Sequence, residues 1–410
     1  GAPLCLRRGD SAKVIRDLVT ETDAAAVYWN RCYEPSAVAR DKKLKAGLRE
    51  AGVTVESFNG NLLVEPWELT TGQGSPYKVF TPFWKAMQSK GAPAAAQPRP
   101  KKLKGLEGFQ SDDSTDLLPT KPDWAGGLRE AWTPGEKGAA ARLADFLEES
   151  ATAYKADRDR PDLSGTSRLS PHLHWGEISP RQVWQATRHA VDAGEVQESS
   201  AMAFLRQLGW RDFSANLLFH WPDFPEAPWR REFDAFPWHD DDAAYEAWCH
   251  GRSGYPIVDA GMRQLWTTGW MHNRVRMIVA SFLIKDLLIP WQRGEAWFWD
   301  TLVDADLGNN AAGWQWVAGS GADAAPYFRI FNPVTQGEKF DPKGDYLRRW
   351  IPEIAELPDS VIHKPWEASQ EELKDAGVIL GETYPEPMVD HKAARARALA
   401  GYEEVKKTLR

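Results

Sequence analysis

The sequence predicts a small α/β domain followed by a large all-α domain. In the first 90 residues, strand-like segments alternate with amphipathic helical ones, which is typical of a parallel sheet. Beyond Gly135, apolar residues recur with the period of an α-helix almost to the end of the chain. Residues between these regions are rich in Pro, Gly and charge, which indicates a linker. We therefore expect a partial α/β domain over 1–90, a linker over 91–135 and an all-α domain over 136–410.

Each element rests on a local pattern. Segments 24–29 and 53–58 have the composition of strands, and segments 12–20 and 36–51 have the pattern of amphipathic helices. No G-x-G-x-x-G sequence follows either strand, so the sequence does not support a Rossmann-type dinucleotide site. The helices expected in the all-α domain are 139–153, 180–193, 200–218, 255–268, 273–288 and 294–303.

Composition limits the classes of protein to consider. The 410 residues carry a net charge of −8, so any contact with DNA must come from a local basic patch. The 3 cysteines, Cys5, Cys32 and Cys249, are too far apart for a zinc or redox motif. The sequence has neither a signal-peptide pattern nor an apolar run long enough to cross a bilayer. We expect a cytoplasmic monomer without a membrane segment.

Segment 304–316 is the most informative part of the sequence. It holds two acids, two adjacent amides and two tryptophans, which are Asp304, Asp306, Asn309, Asn310, Trp314 and Trp316. Acids and amides are costly to bury without partners, and an ordinary core would use aliphatic residues instead. The segment therefore predicts the wall of a pocket for a flat aromatic ligand with polar edges.

Segment 166–170 is a candidate phosphate site. Three hydroxyl groups and Arg168 come just before Pro171, a residue that suits the first turn of a helix. Hydroxyls and free backbone N–H groups at a helix start can hold a phosphate. An N-cap followed by a structural turn explains the same residues, and the sequence leaves both interpretations open.

The predicted helix over 200–218 has a face that suits a nucleotide base. Gln207 and Arg211 are four residues apart and share this face, and Trp210 lies within one turn of Gln207. A base could stack on Trp210 while Gln207 bonds to its edge. A surface helix with a half-buried tryptophan is the alternative.

Segment 270–277 leads into a helix that begins near Asn273. Arg276 falls in the apolar first turns, so we expect it to pair with a carboxylate, and Asp304 is the candidate. Arg274 points to another side of the helix and could meet a phosphate. His272 has no second ligand at metal spacing, and we expect no metal site.

Together these segments resemble the DNA photolyase/cryptochrome family, in particular its bacterial members that repair cyclobutane pyrimidine dimers. The resemblance covers nearly the whole chain. Its matching segments are 77–83, 166–170, 254–260, 270–277, 325–333 and 336–340. It implies a carbon–carbon lyase that acts on UV-damaged DNA. Blue light excites reduced FAD, which passes an electron to a flipped-out dimer and regains it after two C–C bonds break.

The resemblance also assigns candidate residues. Those that match the FAD contacts are Tyr154, Thr166, Ser167, Arg168, Leu169, Ser170, Phe204, Arg211, Asn273, Arg276, Asp304, Asp306 and Asn310. Those that match the lesion and DNA contacts are Gln207, Trp210, Arg274, Met277 and Trp316. The electron chain from the surface to the flavin matches Trp238, Trp291 and Trp314, and Asn310 matches the residue beside flavin N5.

Gln207 departs from the family pattern, because dimer-repairing photolyases usually carry Glu at this position. Glutamine can donate an N–H but cannot share a proton, so we expect binding to be kept and the repair yield to be lowered. Glutamine here also occurs in (6-4) photolyases and animal cryptochromes. Those relatives carry a histidine pair where this chain has Asn273 and Met277, and plant cryptochromes tend to replace Asn310 with Asp. Repair of cyclobutane dimers is therefore the leading hypothesis, with a cryptochrome or (6-4) photolyase as the alternative.

The N-terminal region departs from the pattern as well. The strand and arginine-rich motif that open the family's α/β domain have no match, so we expect a sheet without its opening strands. The residues that fall where an antenna chromophore can bind are Asn30, Arg31, Glu34, Arg40 and Asp41. A folate or deazaflavin antenna is left as an open possibility.

Overall fold

The computed structural model describes residues 4–98, 100–103, 105, 111–112, 121–323 and 328–407. The expected linker is thus described only in part, and residues 325–327 of the matched segment 325–333 lie outside the described residues. Within the described chain, the predicted order is confirmed: a small α/β unit comes first and helices follow.

The α/β unit consists of α1 (Ser11–Thr22), β1 (Ala26–Asn30), α2 (Pro35–Glu50) and β2 (Thr54–Phe58). The strands pair in parallel, with Ala26 opposite Thr54 and Asn30 opposite Phe58. Leu44, Leu48 and Val55 form a small core between the sheet and α2. All four elements match the predicted segments to within a few residues.

The rest of the described chain is helical. Its α-helices are α3 (Phe80–Ser89), α4 (Gly126–Ala131), α5 (Glu136–Glu149), α6 (Tyr154–Asp157), α7 (Ser170–His174), α8 (Pro180–Asp192), α9 (Glu198–His220), α10 (Asp242–Cys249), α11 (Pro256–Thr268), α12 (Asn273–Ser281), α13 (Trp291–Thr301), α14 (Leu307–Ala318), α15 (Pro333–Phe340), α16 (Asp345–Trp350), α17 (Gln370–Asp375) and α18 (His391–Lys407). Short 3₁₀ turns cover Arg231–Ala235, Pro352–Ile354 and Pro365–Glu367.

The predicted helix over 273–288 is wrong in its second half. The α-helix ends at Ser281, and Phe282–Asp286 forms a turn of π-helix. Lys285 in this turn is completely buried, and its ammonium donates to the carbonyl of Arg329 at 3.0 Å. The spacing of apolar residues cannot reveal this π-helical turn, because Lys285 is held by a carbonyl 44 residues away in the chain.

The position of α14 organises the helical part. This helix packs against α9, α12 and α13, so it lies between the two large apolar clusters of the chain. One cluster includes Trp248, Trp291 and Trp314. The other includes Phe204 and joins α9 to α3 and α5. The segment singled out in the sequence is therefore central in the fold.

Candidate functional site

The acids of segment 304–316 sit at the start of α14. Asp306 is the N-cap residue, and its carboxylate accepts from the backbone N–H and the side-chain amide of Asn309, both at 2.8 Å. Asp304 is 8% exposed and accepts from one guanidinium nitrogen of Arg276 at 2.8 and 3.1 Å. The predicted pair of Arg276 and Asp304 is therefore present. Arg276 also donates to the carbonyl of Met271 at 2.8 Å, which fixes the guanidinium.

Asn310 lies one turn into α14 and is buried. Its side-chain N–H donates to the backbone carbonyl of Glu295 in α13 at 2.9 Å. Burial raises the pKa of the Glu295 carboxyl to about 8, so the group holds its proton at neutral pH. The sequence contained a signal that we missed: Glu295 is placed between Trp291 and Phe298 on the apolar face of a helix.

Segment 166–170 turns into α7, which begins at Ser170. Arg168 has a left-handed backbone with φ of 51°, and its guanidinium lies between the rings of Trp132 and Trp270 at 5.1 and 4.8 Å. Burial lowers the pKa of Arg168 to about 10. The Ser170 hydroxyl accepts from the indole N–H of Trp270 at 3.3 Å. A phosphate here would therefore meet hydroxyls and backbone N–H groups rather than the arginine side chain.

The rest of this segment holds two hydroxyl residues and one apolar residue. Ser167 accepts from the backbone N–H of Leu169 at 3.4 Å, Leu169 is buried, and Thr166 is half-buried. Nearby, Phe204 of α9 packs edge-to-face on Tyr154 with ring centroids 5.5 Å apart. Two predicted cofactor residues from different elements are thus direct neighbours.

Arg211 joins α9 to two other parts of the chain. Its guanidinium donates to the carbonyls of Asn61 and, at 3.3 Å, Leu173. Gln207, one turn earlier, donates to the carbonyl of Ala203 in its own helix at 3.0 Å. One of the two amide N–H groups of Gln207 is therefore engaged by the backbone.

Trp210 and Trp316 line the same cleft. Trp210 is held there by stacking on Phe80, with centroids 3.6 Å apart and planes 8° from parallel. The remaining lining residues are Phe213, Leu217, Phe224, Ala312, Gly321, Ala322 and Asp323. The structure thus brings together the two tryptophans that sequence matching assigned to a lesion cavity.

The first turn of α12 carries three further predicted residues. Asn273 is exposed, and its amide lies 3.9 Å from the sulfur of Met277. Arg274 pairs with Asp159 at 3.1 Å and lies over the ring of Phe340 at 4.4 Å. A DNA phosphate at Arg274 would have to share the guanidinium with Asp159.

The three tryptophans of the expected electron chain differ in environment. Trp314 and Trp291 are buried, whereas Trp238 is partly buried and packs on Phe236 with centroids 4.5 Å apart. The helices that carry Trp314 and Trp291 approach closely, because a Cβ at Gly294 would lie 2.1 Å from the Trp314 ring.

Trp314 also has aromatic neighbours outside the expected chain. Its ring is 5.0 Å from Phe298 and 6.2 Å from Trp248, measured between centroids. Trp248 is fully buried and stacks on Tyr245 at 6.1 Å. Sequence reasoning missed Trp248, because only the folded chain brings α10 beside α14.

A separate pocket lies at the α/β unit. It is lined by Trp29, Arg31, Cys32, Tyr33, Val38, Asp41, Lys42, Lys45, Ser57 and Trp67. Arg31 and Asp41 were among the residues expected near an antenna. Arg31 is fixed by an ion pair with Glu65 at 2.6 Å and lies 5.6 Å over the ring of Trp67.

The described residues contain neither a cluster suited to a metal ion nor a helix suited to crossing a membrane. No cluster of three or more His, Cys, Asp or Glu side chains in the described ranges could hold a metal ion. None of the described helices is both long enough and apolar enough to cross a membrane.

Two family models match separate parts of the chain. Residues 1–101 match the family model described as DNA photolyase, and residues 204–404 match the FAD binding domain of DNA photolyase. The deoxyribodipyrimidine photo-lyase of Agrobacterium fabrum is 54% identical over all of this chain and 85% of its own length. Cryptochrome-1 of Arabidopsis thaliana is 40% identical over 95% of this chain and 59% of its own length.

The fold has close counterparts among solved structures. A bacterial class III photolyase from Agrobacterium tumefaciens superposes with a TM-score of 0.96 at 53% identity, covering 99% of this chain and 85% of that one. A cryptochrome from Synechocystis superposes with a TM-score of 0.86 at 30% identity, covering 95% of this chain and 81% of that one.

Proposed function

The chain belongs to the DNA photolyase family, and from this premise we propose that it is a light-driven deoxyribodipyrimidine photolyase. Its substrate is a cyclobutane pyrimidine dimer in UV-damaged DNA, and its cofactor is FAD. The observation that carries this proposal is the cleft between Trp210 and Trp316, because Trp316 belongs to α14, the helix that carries Asn310 and follows Asp304 and Asp306.

The described residues fit FAD. The cofactor has a negatively charged diphosphate, a hydroxylated chain and a flat ring with polar edges. Segment 166–170 offers hydroxyls at the start of α7, and Asp304 and Asp306 offer carboxylates at the start of α14. Asn310 offers an amide whose N–H is oriented by the carbonyl of Glu295. When bound, reduced FAD supplies the photoexcited electron that opens the cyclobutane ring and takes it back afterwards.

The protein groups orient and insulate this chemistry. Arg276 neutralises and positions Asp304, so the carboxylate can accept from cofactor hydroxyls without being an isolated buried charge. Asn310 is a neutral amide, and one of its N–H groups is held by the backbone carbonyl of Glu295 at 2.9 Å. This arrangement suits a reduced ring that is itself anionic.

The two tryptophans of the cleft receive the lesion. A dimer stacks poorly in the duplex and flips out at lower cost than normal bases, which contributes selectivity. Trp210 is rigid because it is stacked on Phe80, so little conformational freedom is lost when a dimer packs against it. Arg274, Met277 and Gln207 are proposed to border this cavity. We propose that the enzyme acts as a monomer.

We also propose that the pocket at the α/β unit holds a second chromophore. Trp29 and Trp67 offer apolar faces for a flat ring, and Lys42 and Lys45 offer positive charge for an acidic tail. A folate has both a flat ring and an acidic tail, and a deazaflavin has the flat ring. Reconstitution with each compound, followed by the absorption spectrum and the action spectrum of repair, distinguishes them from an empty pocket.

One assay tests the proposed function. The photoreduced protein is illuminated with a duplex that holds one cyclobutane dimer and, separately, with one that holds a (6-4) product. We expect light-dependent restoration of the first duplex alone. Failure to restore either duplex, with FAD bound and the lesion duplex bound in the dark, would contradict a repair function and favour a photoreceptor. Restoration of the (6-4) duplex would contradict the assigned lesion.

A further inference from the structure

Asp323 is placed in the cleft between Trp210 and Trp316. Of the described residues that line this cleft, it is the one that carries an ionisable side chain. Its neighbours there are aromatic, aliphatic or glycine. A lone carboxyl group in such a lining is costly unless it is bonded or used.

The carboxyl group is held in position. Its Oδ2 accepts from the backbone N–H of Phe80 at 3.2 Å, and the ring of Phe80 is the one on which Trp210 stacks. This bond uses one of the two carboxyl oxygens, so the group keeps another for a ligand. Phe80 thus fixes Trp210 through its ring and Asp323 through its backbone N–H.

Two influences act on the protonation of Asp323. Burial raises the pKa of this carboxyl, whereas the Phe80 N–H and the charge of Arg206 act to lower it. The net direction is upward, so the neutral acid is more accessible here than for an ordinary aspartic acid.

We propose that Asp323 is a catalytic residue of the repair reaction and donates a hydrogen bond to a carbonyl oxygen of the bound dimer. This inference rests on the proposed function. When the dimer accepts an electron, negative charge grows on its pyrimidine carbonyl oxygens. An O–H donor aimed at that oxygen stabilises the charged state more than the ground state, as donors in oxyanion holes do. The proton stays with the acid, and the electron returns to the cofactor.

The proposal changes the expectation for Gln207. One N–H of Gln207 is bonded to its own helix, so the amide has a single N–H left for the dimer and no acid proton to share. Asp323 supplies from another segment the acid that position 207 lacks. The sequence alone predicted a lowered yield that Gln207→Glu would raise. With Asp323 in place, Gln207→Glu adds little.

The test compares the repair yield per absorbed photon in the photoreduced holoenzyme. Asp323→Asn keeps an acceptor for the Phe80 N–H but removes the acid, and we expect its yield to fall by about threefold or more. The dark affinity for the dimer duplex and the flavin spectrum serve as checks on the cleft and the fold. Asp300→Asn, at an exposed acid near the end of α13, is the matched control and is expected to repair like wild type.

Adding Gln207→Glu to Asp323→Asn is expected to restore part of the yield, which a purely structural loss would not allow. A wild-type yield in Asp323→Asn overturns the proposal. If Asp323→Asn does not retain FAD, Gln207→Glu alone decides. A gain in repair yield of less than about twofold supports the proposal. A larger gain overturns it, because it would mean that the wild-type site lacks a strong hydrogen-bond donor. Absence of any repair by the wild-type protein would instead reject the proposed function itself.

Discussion

Glu295 of α13, whose backbone carbonyl accepts from Asn310, allows a sharp test for a buried neutral acid. The carboxyl is 9% exposed, and burial raises its pKa from an ordinary value of 4.5 to about 8. Between these two pH values the folded protein binds a proton that the unfolded chain has released. The stability contributed by the neutral acid is therefore complete below pH 4.5 and is lost as the pH rises through about 8.

The magnitude follows from this window. Each unit of pKa difference is worth about 1.4 kcal/mol, so raising the pH from about 5 to about 8 removes up to about 4 kcal/mol of unfolding free energy through this one group. Glu295→Gln has nearly the same shape and no charge to bury. We expect the variant to lose much less stability than wild type over the same range.

The assay is urea unfolding of the holoenzyme in the dark at several pH values. Asp212 and Asp341, whose pKa values burial also raises to about 7, titrate in both proteins, so the readout is the difference between the two pH profiles. Glu226→Gln, at an exposed position, controls for the loss of one carboxylate. Parallel profiles for wild type and Glu295→Gln would refute a buried neutral acid at this position.

Three further predictions concern the charged and aromatic groups. Arg276→Ala leaves Asp304 buried without its partner and is expected to cost about 3 kcal/mol in urea unfolding, with weaker retention of FAD; an unchanged midpoint would contradict this. Trp291→Phe is expected to slow photoreduction of oxidised FAD at least about tenfold while leaving repair by pre-reduced enzyme intact. If Trp248→Phe slows photoreduction more than Trp291→Phe does, electrons reach Trp314 through its contact with Trp248. Arg274→Ala is expected to lower the slope of log affinity against log salt by about 0.9 if the side chain contacts one phosphate, and an unchanged slope would leave it paired with Asp159 only.

The sequence was sufficient for features that depend on short-range patterns. The two strands were found because β-branched and aromatic residues cluster between helical segments, and they pair in parallel as the alternation predicts. The pair of Arg276 and Asp304 was found because a cation in an apolar helix turn needs a carboxylate partner. Asp304 was the candidate because it lies in a segment of acids, amides and tryptophans. Both inferences rest on costs that hold in any fold.

Features that depend on packing between distant segments were not accessible in the same way. Asp323 reaches the cleft because it bonds to Phe80, which is 243 residues earlier in the chain. Trp248 reaches Trp314 only through the packing of α10, α13 and α14. Gln207 is a subtler case: its spacing predicted the correct face of α9, but not that its amide would bond to the same helix.

Gln315 lies in α14 between the proposed cofactor residue Asn310 and Trp316 of the proposed lesion cleft. It is completely buried between the two tryptophans of segment 304–316, and its amide N–H groups donate to the carbonyls of Phe224 at 2.6 Å and Ala227 at 3.1 Å. Its oxygen accepts from the backbone N–H of Trp229 at 2.7 Å. These three bonds hold the loop that brings Phe224 to the cleft, so this amide is structural and not a ligand contact.

The same helix therefore carries the residues proposed at both ends of the electron's path. Asn310, proposed to lie beside the flavin ring, and Trp316, at the wall of the lesion cleft, are six residues apart in α14, a rise of about 9 Å along the axis. A helix packed on three sides holds this separation without the help of a mobile loop. Because the rate of electron transfer depends steeply on distance, a rigid spacer between cofactor and lesion serves the reaction better than an induced closure would.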